Sequence, residues 1–72
     1  MNNYQVECCK QGDWWAVRIT ELKGCHTQAR SLAEVEFMAR DAIALLLEVP
    51  LDSFTLSLLT VTPEAFIAGV VE

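Results

Sequence analysis

The segment Ser31–Leu47, SLAEVEFMARDAIALLL, constrains the chain most, because no other stretch is long and periodic enough to form a full helix. Ser31 can accept a hydrogen bond from a free amide of the first turn, and Glu34, three residues on, can reach back to the Ser31 amide, which makes a capping box. Leu32, Val35, Met38 or Ala39, Ala42, Ile43 and Leu46 recur at spacings of three and four, whereas Glu34, Arg40, Asp41 and Glu48 fall elsewhere. One apolar stripe therefore needs a surface to cover. Pro50 cannot continue the helix and biases Val49 toward extended backbone, so the helix stops before it.

The segments before the helix supply such a surface. Tyr4 to Lys10 alternates, with Tyr4, Val6 and Cys8 on one side and Gln5, Glu7 and Cys9 on the other, the period of a half-buried strand. Gln11-Gly12-Asp13 has the length of a hairpin turn, and Trp14 to Thr20 alternates again. The expected inner side is Tyr4, Val6, Cys8, Trp15, Val17 and Ile19, onto which the helix can lie. Glu21-Leu22-Lys23-Gly24 reads as a polar turn with a glycine free to take a positive φ, and Cys25–Ala29 has room for a short third strand. After Pro50, Ser53–Val61 is rich in apolar and β-branched residues and is expected to be a fourth strand. Reached by a right-handed helical crossover, it would pair in parallel with the first strand at the free edge of the hairpin.

Thr62, Pro63 and Glu64 mark a second helix start, and Phe66, Ile67, Val70 and Val71 form its apolar stripe. So short a helix needs something to dock on, either its own sheet or a second copy; a homodimer or higher homo-oligomer is expected, with these four residues as its contact. The chain is thus expected to be one α+β domain over residues 1–72, a β-β-β-α-β core (1–61) with a short helical tail (62–72). A helix packs on one face of a small, mainly antiparallel sheet.

Charge and cysteine usage narrow the chemistry. Ten Asp and Glu against five Lys and Arg give a net charge of −5, which disfavours a phosphate-binding face and suits a basic protein partner. The three cysteines, at positions 8, 9 and 25, are an odd number and form no disulfide framework. Cys8-Cys9 and Cys25-His26 lack the spacing of a structural zinc site, since neighbours on a strand point to opposite faces. No metal, cofactor or Cys-His nucleophile is expected. The opening MNNYQVECC lacks the basic and apolar regions of a signal peptide, and the longest apolar run, Ala42–Leu47, is far short of a membrane span, so the expected location is cytoplasmic.

The ordered series of motifs resembles the HicB antitoxin family. Its pattern of an aromatic-rich strand, a Glu-Leu-x-Gly-Cys turn, a short Thr-Gln-x strand and Ser-Leu-x-Glu opening a helix with Asp-Ala-Ile corresponds here to Trp14–Ile19, Glu21-Leu22-Lys23-Gly24-Cys25, Thr27-Gln28-Ala29, Ser31-Leu32-Ala33-Glu34 and Asp41-Ala42-Ile43. The resemblance implies a partial ribonuclease H-like fold. It also implies a prokaryotic type II toxin–antitoxin role, in which the domain binds and neutralises a small basic HicA-like mRNA interferase without being an enzyme itself. Many family members continue into a DNA-binding domain, and the eleven residues Thr62–Glu72 are too few for one, so no direct nucleic-acid binding is expected. Ribonuclease H chemistry needs several carboxylates converging on two metal ions, and Glu7, Asp13 and Glu21 are the only acids in or beside the early strands. From charge and exposure, Glu7, Asp13 and Glu21 are expected to meet the toxin's cations, with Trp14, Arg18 and Gly24 completing the partner-binding surface. An orphan structural or oligomer-forming module of the same fold is the alternative.

Overall fold

Alternation becomes pairing in the computed structural model, which describes residues 2–66. Strands β1 (Asn2–Gln11) and β2 (Trp14–Ile19) form an antiparallel hairpin, β3 (His26–Ala29) pairs antiparallel with β2, and β4 (Phe54–Thr60) pairs in parallel with β1. The order across the sheet is β3-β2-β1-β4, so the first strand in sequence is an interior one and the last is an edge. This is the β-β-β-α-β, α+β arrangement expected from the sequence.

Two glycines make the turns possible. Gly12, at φ 64°, is the first of two loop residues between Gln11 and Trp14, the geometry of a type II′ hairpin turn. The turn is one residue shorter than the sequence suggests. Gly24, at φ 80°, occupies the third position of a four-residue turn closed by the Cys25 amide donating to the Leu22 carbonyl at 3.0 Å, a type II turn.

Helix α1 (Leu32–Leu47) starts where Ser31 caps it: the Ser31 Oγ accepts from the Glu34 amide at 3.3 Å. The reciprocal arm differs from the expected box. Glu34 accepts from the Arg30 amide, at 3.2 Å, one residue before Ser31. At the other end the chain leaves the helix through Glu48 in the left-handed region, φ 56°, with its amide donating to the Ala44 carbonyl, before Pro50 is reached.

Val35, Ala39 and Ile43, spaced by four, are fully buried against Val6, Cys8, Val17, Ile19, Ala29 and Phe54, with Tyr4, Trp15 and Leu56 partly buried beside them. The inner face is therefore the expected one. Leu32 and Leu46, expected in the same stripe, are instead 50% and 53% exposed. They lie at the two ends of α1, where the direction is right but the sheet no longer extends beneath. Above the sheet α1 packs chiefly on β3 and β2 and only lightly on β4. Arg40 ties the crossover down, donating to the carbonyls of Leu51 and Phe54 at 2.7 and 2.9 Å and lying 5.1 Å from the centre of the Phe54 ring.

After β4, residues 63–66 are helical, capped as expected by Thr62, whose side chain accepts from the Ala65 amide at 3.2 Å. Ile67, Val70 and Val71 lie outside the described residues. Among the described residues no helix is long and apolar enough to cross a membrane.

Candidate functional site

The face of the sheet opposite α1 carries Glu7, Trp14 and Arg18, three of the six residues singled out from the sequence, while Asp13, Glu21 and Gly24 lie in the turns. The hairpin register sets Glu7 directly across from Arg18. Arg18 donates from Nε to a Glu7 carboxylate oxygen at 3.1 Å, and its terminal nitrogens reach the same oxygen and the Phe66 carbonyl, the latter at 2.7 Å. Its guanidinium lies 4.2 Å from the centre of the Phe66 ring. The turn after β4 is thus fastened onto this face by one arginine. Side chains of Glu7 and Arg18 are mostly withdrawn from solvent, so each neutralises the other rather than standing ready for an external charge.

Glu21 has an internal task as well. Its carboxylate accepts from the Gln5 amide at 2.9 Å and from the Thr20 hydroxyl at 3.0 Å, replacing the rung that β2 stops too early to supply. Asp13, exposed in the hairpin turn, has no side-chain hydrogen bond among the described residues. Trp14 is 45% exposed, with the Arg30 guanidinium 5.3 Å from its ring. A cleft of about 770 Å³ brings Glu7, Arg18, Gly24 and Phe66 together along β2 and the β2–β3 turn, whereas Asp13, Trp14 and Glu21 fall outside its lining. The six expected partner-binding residues are therefore spread along β2 from one turn to the other.

The cysteines are unsuited to nucleophilic or ligand chemistry. All three are buried thiols; Cys8 and Cys9 occupy opposite faces of β1, and Cys9 is buried away from the α1 core. Burial pushes the Cys8 thiol above its ordinary pKa, with the neighbouring Cys9 adding to the shift, and burial alone does the same to Cys25. Among the described residues no three His, Cys, Asp or Glu side chains cluster as a metal site.

A second surface was missed by sequence reasoning. On the solvent side of α1, Phe37, Asp41 and Leu45 are spaced by four and stand in one row, with Phe37 67% and Leu45 73% exposed. Glu34 and Glu48 are exposed toward the ends of the same side. Two large apolar side chains among acids make a surface suited to a basic, partly apolar partner. The available signal was that Phe37 and Leu45 fall outside the core stripe, so a folded helix had to leave them in water.

No family model matches the chain, and no solved structure matches it. It is similar to a UPF0150 protein of Archaeoglobus fulgidus, with 47% identity over 36 residues, which is 50% of this chain and 52% of that protein. The chain spans about half the length of this curated relative, whose name states no activity.

Proposed function

We propose that this chain is a HicB-like antitoxin domain that acts in the cytoplasm, without catalysis, by binding and masking a small basic HicA-like ribonuclease. The observation that carries the reading is the solvent side of α1. Phe37 and Leu45 offer apolar anchors on either side of Asp41, on a chain whose net charge is −5. A cationic RNA-binding surface would find there both the charge and the apolar contact it needs. Support also comes from the β-β-β-α-β order with parallel β4, which is the fold that the motif series implies, and from the similarity to the UPF0150 protein. Of the acidic residues first assigned to this role, Asp13 remains uncommitted, while Glu7 and Glu21 are engaged inside the domain.

The test is co-expression with the products of neighbouring small basic reading frames, followed by pull-down and an RNA-cleavage assay. Stoichiometric capture with loss of cleavage is the expected result. Asp41→Lys is expected to weaken capture at least ~tenfold, by placing like charges together at a partly desolvated contact. Trp14→Ala reports on the opposite face: if it alone releases the partner, the contact runs over the sheet and not over α1. Failure to capture any such product removes the antitoxin reading.

A further inference from the structure

We propose that β4 is a dimerisation edge, through which two copies of this chain join their sheets antiparallel into one continuous eight-stranded sheet. Among the described residues β4 is the outer strand of the sheet on its side. In a parallel pair, alternate residues turn both their amide and their carbonyl toward the neighbour. The Val61 amide donates to the Cys8 carbonyl at 2.9 Å, which sets the phase: Thr55, Ser57 and Leu59 face β1, while Phe54, Leu56, Leu58 and Thr60 face away from the sheet. The Phe54 carbonyl is already taken by Arg40. What remains is a run of three outward rungs, Leu56, Leu58 and Thr60, symmetric about Leu58.

Such an edge is complementary to a second copy of itself. A two-fold axis through Leu58 sets Leu58 against its counterpart and Leu56 against Thr60 of the other chain, so every outward amide meets an outward carbonyl and no register slip is needed. The Arg40 cap marks where the pairing must stop. Side chains agree with the backbone: Ser53–Val61 contains no charged residue, so two chains of charge −5 can pair along these rungs without setting like charges opposite one another, Asp52 and Glu64 lying beyond them. The devices that keep edge strands apart, a lysine, a proline or an inward charge, are absent from β4. Because α1 sits over β3 and β2, Leu58 on the helix side is left 43% exposed, and Leu59 on the opposite side 45%. Pairing would cover both, Leu58 by its own counterpart and Leu59 beside Ser57 of the second copy. An edge of this length gives a small interface, in keeping with a dissociation constant of roughly micromolar order.

The inference is independent of the toxin-binding reading and uses a different surface, so either can fail alone. The experiment is sedimentation and light scattering of the chain across a dilution series, with amide exchange measured at both ends of it. The expected result is a dimer that dissociates on dilution, with the Leu56, Leu58 and Thr60 amides protected only in the dimer. Leu58→Lys, which puts two cations face to face, and Thr60→Pro, which removes an amide that β1 does not use, are each expected to weaken dimerisation at least ~tenfold while circular dichroism stays unchanged. Leu45→Asp, on the helix surface, is expected to leave it intact. A monomer at all concentrations, a dimer whose three outward amides exchange freely, or a dimer broken by Leu45→Asp alone would overturn the proposal.

Discussion

Truncating Ile43 and Leu46 to alanine, one at a time, should separate two residues that helical periodicity treats as equals. Ile43 is fully buried beneath α1 and Leu46 is 53% exposed beyond the end of the sheet. Removing a buried isoleucine side chain costs about 2–5 kcal/mol, the transfer term plus the cavity left in a core that cannot fully collapse. Half-burial of a leucine is worth about 1 kcal/mol, and alanine returns a little of it through better helix propensity. A domain of this size has roughly 4–11 kcal/mol of stability in all, so Ile43→Ala removes a large fraction and Leu46→Ala a small one. Urea unfolding followed by tryptophan emission reads the difference, with half-buried Trp15 against the core as reporter. At a slope of about 1 kcal/mol per molar urea, the midpoint should fall by about 2–5 M for Ile43→Ala and by less than about 1 M for Leu46→Ala. The slopes themselves should stay equal. A Leu46→Ala midpoint as low as that of Ile43→Ala would refute the placement of α1 over the sheet.

Three further outcomes follow from the same geometry. Glu48→Gly should raise the melting temperature, gaining up to about 1 kcal/mol, because a left-handed backbone strains any side chain and glycine escapes the strain at the cost of a freer unfolded chain. Arg18→Met should cost about 1–3 kcal/mol by leaving Glu7 unpaired, and should speed limited proteolysis around 62–66, read by mass spectrometry, since it releases the Phe66 carbonyl and ring. The raised thiols of Cys8 and Cys25 set a pH dependence: below the ordinary thiol pKa both states hold the proton and nothing changes, whereas above it the unfolded chain loses protons that the native chain keeps. Stability should therefore fall as pH rises through that window, by at most about 1.4 kcal/mol per pH unit for each thiol, in urea titrations compared with Cys8→Ala and Cys25→Ala.

Side-chain direction was legible in the sequence because it follows from local period. Tyr4, Val6, Cys8, Trp15, Val17 and Ile19 all turn toward α1, and Ser31, Thr62 and the parallel β4 fall where capping chemistry and crossover handedness put them. Extent was not legible. Leu32 and Leu46 show that a helical stripe says which way a residue points and nothing about whether the sheet reaches under it. The internal use of charge was half legible: a two-residue turn at Gly12-Asp13 places Glu7 opposite Arg18 at once, but reading the turn as three residues hides the pair and leaves both looking free. That Glu21 would serve the Gln5 amide depended on where β2 stops, and the Phe66 contact depended on the path of the chain after β4. Both are decided by tertiary geometry that no local pattern encodes.

The interior position of β1 bears on the order in which the molecule can assemble. Its partner on one side, β2, is adjacent in sequence, while residues of β4 meet it across a separation of 52, as in the Thr55–Asn3 hydrogen bond. Closing a loop of that length costs roughly 3 kcal/mol of chain entropy before any contact returns it. The hairpin can therefore nucleate early, and the β1–β4 junction should be the slow, late step in refolding, arriving only once α1 has lain down and brought the crossover round.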